Sequence, residues 1–150
     1  MRIYEASLSY SIVQLGQVTA VNTPDKVVDY LRDAYDRNPV VETFWVISLD
    51  RKNKPIGRTL VSSGSVSSTV VHAREVFKAA ILASASAIIL SHNHPSGDPA
   101  PSAADLQVTR KLREAANIMD IALLDHVIVG AKEDDPAGLG LYSFRNAGLL

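Results

Sequence analysis

The run Ser91-His92-Asn93-His94-Pro95-Ser96-Gly97-Asp98-Pro99-Ala100-Pro101-Ser102-Ala103-Ala104-Asp105 decides how this chain is read. It follows Ala87-Ile88-Ile89-Leu90, an apolar run short enough to be a buried strand. It leads into residues 102–119, whose spacing predicts a long helix. Catalytic loops collect at strand ends of this kind. Two histidines at i and i+2 share one side of a strand end, and Asp105 in the first turn of the next helix can return to the same point. Two imidazoles and one carboxylate make three zinc ligands with a fourth position open to water, which is the arrangement of catalytic zinc. A plainer account covers the same residues. Ser102-x-x-Asp105 has the form of a helix capping box, and Pro95, Pro99 and Pro101 can simply stiffen a loop.

Outward from this run, strands and helices alternate. Residues 3–13 alternate apolar and polar (Tyr4, Ala6, Leu8, Tyr10 and Ile12 against Glu5, Ser7, Ser9 and Ser11) and predict a half-buried strand. Asn22-Thr23-Pro24-Asp25 has the form of a helix start, and the helix should stop near Arg37-Asn38-Pro39. Residues 42–50 are expected to form a buried strand, 51–55 a turn and 56–63 the returning strand. The basic residues Arg51, Lys52, Lys54 and Arg58 are expected at a solvated hairpin tip. Residues 66–71 look strand-like, 74–83 helical and 123–129 strand-forming, and 139–144 are a candidate edge strand. An early hairpin followed by strand–helix–strand predicts an α/β domain with a mixed sheet.

Composition narrows the chemistry. The chain has 150 residues and 47% hydrophobic content, the scale of a single domain spanning 1–150. It has no Cys, which excludes a disulfide scaffold, thiolate metal sites and a Cys nucleophile. A metal must therefore rest on His, Asp, Glu or backbone oxygen, and there are four His: His72, His92, His94 and His126. The formal net charge is −1, which disfavours direct binding to nucleic acid. No apolar run approaches the ~20 residues that span a bilayer, and the start lacks a signal core, so a cytoplasmic protein without membrane contact is expected.

Taken together, His92, His94, Ser102 and Asp105 complete the pattern His-x-His-x7-Ser-x2-Asp. This is the metal signature of the JAMM (MPN+) metalloproteases. The words SHNHPSGDPAPSAADLQVTRKL, LLDHVIVG and VVHAREVFKAAI resemble the RadC family, the bacterial branch of that fold, and the resemblance runs from about Thr23 to the C-terminus. It implies a three-layer αβα, cytidine-deaminase-like (JAB/MPN) domain around a mixed sheet. It implies Zn2+ on His92, His94 and Asp105, with Ser102 steadying the oxyanion and a glutamate activating the attacking water. JAMM proteins place that glutamate just after the first helix, which here is Glu42. Glu75 competes, but an acid at a helix start has a sufficient reason in the helix dipole. A carboxylate opening the apolar strand at Glu42 needs another reason, so Glu42 is preferred.

The implied function is a zinc-dependent JAMM-type hydrolase of a peptide or isopeptide-like amide. The alternative is a DNA-repair-associated module that binds or scaffolds. Longer RadC proteins carry an N-terminal helix-hairpin-helix region, whereas residues 1–22 here are expected to contribute a strand extension instead. The letters His92-Asn93-His94 do not indicate an HNH nuclease, because both histidines fall within the JAMM spacing.

Overall fold

The computed structural model describes residues 1–13, 19–66 and 70–150. Its strands are β1 (Glu42–Leu49), β2 (Pro55–Gly64), β3 (Ala87–Asn93), β4 (Ala122–Val129) and β5 (Leu141–Ser143). Its helices are α1 (Pro24–Asp36), α2 (Ala73–Leu82) and α3 (Ala103–Met119). The strands form one sheet in the order β2-β1-β3-β4-β5. Among the described residues only β3 and β4 run parallel, joined through α3, so the sheet is mixed as expected.

Each face of the sheet buries a separate core. Phe44 and Val46 of β1 with Ile88 and Leu90 of β3 pack on Val76, Phe77 and Ala80 of α2 and Val108, Leu112 and Ala116 of α3. On the opposite face, Ile47, Leu49, Ala87, Ile89 and Val127 pack on Val27, Leu31 and Tyr35 of α1. The result is a three-layer αβα domain. Every residue of β3 is buried, which explains why its sequence shows no alternation. Even-numbered β3 residues face α2 and α3, so His92 emerges on that side; Ser91 faces α1. The Tyr35 hydroxyl donates to Ser91 Oγ at 2.7 Å, and Ser91 donates to the Val127 carbonyl at 2.9 Å, which ties α1 to β3 and β4.

Two expectations need correction. Residues 1–13 carry no strand, so the expected N-terminal strand extension does not form within them; residues 14–18 of it lie outside the described residues. Alternation supplies an apolar face but not a ladder partner, and Tyr4 and Ile12 are each 80% exposed. Residues 8–13 pass beside β2, with a cavity of about 700 Å³ between them and residues 55–59, and do not pair with it. Of the strand-like stretch 66–71, residues 67–69 lie outside the described residues, and 66, 70 and 71 belong to no strand. Among the described residues, no helix is long and apolar enough to cross a membrane.

Arg58 is not a solvated tip residue. It reaches from β2 to α1, with Nη1 and Nη2 each donating to Asp33 at 2.6 Å. Its guanidinium lies 5.6 Å from the Trp45 ring. Arg58's hydrogen bonds hold the Asp33 carboxyl down at about 2 against an ordinary 3.8. A depressed carboxylate stabilises the fold above its ordinary value and loses that contribution as pH falls towards the lower one. Half-exposure of Asp33 screens the pair, which limits it to below about 1 kcal/mol. Asp33→Asn should therefore lower stability by up to about that amount at pH 7 and by progressively less as pH falls through 2. Urea unfolding of both proteins at the two pH values checks this, and an undiminished difference at pH 2 would refute it.

Candidate metal centre

The site is assembled from three places in the chain. His92 is the penultimate residue of β3, and its ring stacks on Phe44 at 5.8 Å. His94 follows the strand, and its N–H extends the parallel ladder by donating to the Val129 carbonyl at 2.8 Å. The loop then turns back at Gly97, whose φ of +88° favours glycine. The Gly97 carbonyl accepts the Ala131 N–H at 2.7 Å, and a Cβ on Gly130 would collide with that carbonyl. Both glycines thus permit the close approach that holds the loop against the end of β4.

Asp105 arrives from the first turn of α3. The capping box is real: the Asp105 N–H donates to Ser102 Oγ at 3.1 Å, and the Ser102 N–H donates to Asp105 Oδ2 at 2.7 Å. The cap does not exhaust the carboxylate. Asp105 Oδ1 lies 3.2 Å from His92 Nε2, and Oδ2 lies 3.3 Å from His94 Nε2. The two Nε2 atoms are 3.1 Å apart. Glu42 Oε1 completes the group at 3.9 Å from His92 Nε2. One ligand atom from each of Glu42, His92, His94 and Asp105 lies within 4.8 Å of every other.

Donor chemistry tests whether a cation fits here. His94 Nδ1 is 2.8 Å from the Asp98 carbonyl, which can only accept, so Nδ1 carries hydrogen. Neutral His94 then points an Nε2 lone pair at an ionised carboxylate. Burial alone would push the His94 ring down, but Asp105 and the Asp98 carbonyl outweigh it and leave His94 raised. Burial alone would likewise raise the Asp105 carboxyl, but His92, His94 and the Ser102 N–H hold it far below the usual carboxylate range. Something positive belongs among these atoms, whether a proton on His94 or a metal ion. Ligands at about 2.0–2.1 Å from a tetrahedral zinc lie about 3.3 Å from each other. The two Nε2 atoms, 3.1 Å apart, are close to that spacing, and each has one Asp105 oxygen beside it, Oδ1 at 3.2 Å from His92 and Oδ2 at 3.3 Å from His94.

Glu42 enters from the head of β1. Its Oε2 accepts the Val66 N–H at 3.2 Å, leaving Oε1 turned to the cluster. Glu75 is placed elsewhere: in the first turn of α2 its carboxylate pairs with Lys78 at 2.7 Å, and it is not part of the group.

Asn93, between the two histidines, has a part that spacing does not disclose. Its Oδ1 accepts the Thr43 N–H at 2.8 Å and its Nδ2 donates to the Val41 carbonyl at 3.0 Å. It therefore clamps the backbone on both sides of Glu42. No local pattern could have found this, because the partners are 50 and 52 residues away. His126 also joins the site: it lies 2.8 Å from His92 Nδ1 and is fully buried.

The mixed αβα sheet with a His, His, Asp and Glu cluster at a strand end defines a JAB/MPN-like α/β domain with a candidate metal site. The chain belongs to the RadC-like JAB domain family, whose sequence model matches residues 21–149. A UPF0758 protein of Caldanaerobacter subterraneus subsp. tengcongensis is 50% identical over 115 residues, 77% of this chain and 49% of that protein. A UPF0758 protein of Geobacter sulfurreducens is 45% identical over 128 residues, 85% of this chain and 52% of that one. A third, from Moorella thermoacetica, is 49% identical over 115 residues, 75% of this chain and 48% of its own length. The chain thus spans about half the length of these relatives.

Asn93→Leu should leave the part-buried Thr43 N–H and Val41 carbonyl without their side-chain partner, a loss of about 1 kcal/mol for each bond. A shift of the urea midpoint measures this loss. A midpoint equal to wild type would show that Asn93 does not brace the head of β1.

Proposed function

We propose that this domain is a zinc-dependent hydrolase of the JAMM type that cleaves a peptide or isopeptide-like amide bond in a peptide or protein substrate. The observation that carries the reading is the convergence of His92 Nε2, His94 Nε2 and the two Asp105 carboxylate oxygens, 3.1–3.3 Å between neighbouring atoms, beside Glu42. His92, His94 and Asp105 would hold the ion. Bound there, zinc supplies Lewis acidity that polarises the amide carbonyl and acidifies the attacking water.

The remaining chemistry belongs to side chains. Glu42 takes the proton of the attacking water through the oxygen that faces the cluster and delivers it to the leaving amine. The water oxygen joins the carbonyl carbon, and the carbon–nitrogen bond breaks. Ser102 already accepts the Asp105 N–H, so its own hydroxyl hydrogen remains to be donated to the developing oxyanion. Asn93 keeps Glu42 in register with the histidines.

Elemental analysis of the purified chain should find about one zinc per chain, lost in His92→Ala and Asp105→Ala. Glu42→Gln should keep the zinc and lose at least ~100-fold in turnover of any amide identified by peptide-library cleavage with a chelator control. Full activity in Glu42→Gln would remove Glu42 as the base. A wild-type chain that takes up no divalent metal would sink the reading as a whole.

A further inference from the structure

His126 and Thr109 lie behind the cluster, and the proposed hydrolysis uses neither. His126 Nε2 is 2.8 Å from His92 Nδ1, and His126 Nδ1 is 2.6 Å from Thr109 Oγ1. Thr109 Oγ1 in turn donates to the Asp105 carbonyl at 2.7 Å. All three side chains are at most 2% exposed, so water does not supply alternative partners.

The direction of every bond follows from the far end. A backbone carbonyl only accepts, so the single hydroxyl hydrogen of Thr109 goes to Asp105. Thr109 Oγ1 must then accept from His126, which places a hydrogen on His126 Nδ1. The His126 ring is fully buried, stacked on Phe144 and edge-on to Phe44, an apolar setting in which a charged imidazolium is costly and the neutral ring is favoured. A neutral ring with hydrogen on Nδ1 has a bare Nε2, which can only accept. His92 Nδ1 must therefore be the donor, and its Nε2 carries the lone pair that faces Asp105 and His94. Reversing the chain would leave two oxygen acceptors 2.7 Å apart with no hydrogen between them.

We propose that Thr109 and His126 form a hydrogen-bond relay that fixes His92 as its Nδ1–H tautomer, so that Nε2 is the nitrogen offered to the metal. Both are positioning residues, acting through His92. The relay starts and ends on residues of the same site, since Thr109 anchors to the backbone of Asp105 one helical turn on. One device thereby sets the ring of one ligand against the helix that carries another. The proposal rests on the metal reading given above.

Two measurements test it. In metal-free protein labelled with 15N-histidine, long-range 1H–15N spectra report the tautomer of each of the four histidines. His92 and His126 should both carry hydrogen on Nδ1. In chelator competition, Thr109→Val should weaken zinc binding about 10–100-fold, as loss of a partner behind a ligand does elsewhere. His126→Phe, which keeps a ring against Phe144 but has no nitrogen, should lose a similar factor. Thr109→Ser should restore wild-type affinity. A merely structural Thr109 would lower the melting temperature and leave zinc affinity and the His92 tautomer unchanged. Hydrogen on His92 Nε2 in the metal-free chain, or undiminished zinc affinity in Thr109→Val, overturns the proposal. A wild-type chain that binds no zinc overturns the metal reading and this proposal with it. That case is distinct from the former ones, in which wild-type binding is intact.

Discussion

A carboxylate that is 1% exposed sits in the first turn of α3, and the site is organised around keeping it ionised. Burying an unpaired carboxylate costs several kcal/mol, so Asp105 needs compensation from every side. It receives the Ser102 N–H and the positive end of the α3 dipole, and the two imidazole rings beside it complete the set once a proton or a cation lies between them and the carboxylate. Each partner is delivered by a different piece of the fold. The cap belongs to α3, His92 to the last rungs of β3, and His94 to the loop that β4 and Gly130 hold down. If β3 slipped by one residue against β1, His92 would turn to the α1 face and Ser91 would replace it. Register in the sheet is therefore also register in the site.

This double use explains what the sequence disclosed and what it concealed. Ser102-x-x-Asp105 reads both as a cap and as part of a ligand set, and the structure shows the cap to be the means by which the carboxylate is aimed. Glu42 was singled out by resemblance and by being an unexplained acid at the head of an apolar strand, but neither ground names its partners. Its distinction from Glu75 becomes physical once the pairs are known: Glu75 is neutralised locally by Lys78, three residues on, whereas Glu42 faces residues 50 or more positions away. The partners of Asn93, Thr109 and His126 were hidden for the same reason. Their bonds span 50, 17 and 34 residues, distances at which periodicity carries no information.

Secondary structure was legible where burial decides it. β3, β4, α1 and α3 are set by apolar spacing against a sheet with two covered faces. The N-terminal alternation failed because a strand also needs a neighbour with free backbone groups in the right place. Residues 8–13 run next to β2 and leave open space between, so their apolar face is spent on partial contact rather than on a ladder. Trp45 shows the converse effect. It is not fully buried, yet its indole N–H donates to Thr43 Oγ1 at 3.1 Å, and Arg58 lies over its ring. A large aromatic on this strand thus links the outer α1–β2 ion pair to the backbone that Asn93 grips.

The four candidate donors come from positions 42, 92, 94 and 105, so only the folded chain brings them within 4.8 Å of one another. A cation that binds there binds the native state and not the unfolded one, which makes its affinity part of folding stability. The arrangement without a cation is the costlier one: ring nitrogens and an ionised carboxylate converge at 3.1–3.3 Å, and a proton on His94 is the alternative means of relief. Acid and metal therefore compete for the same lone pairs. The rigid parts of the fold, from the buried β3 strand to the relay behind His92, hold those lone pairs together against their mutual repulsion.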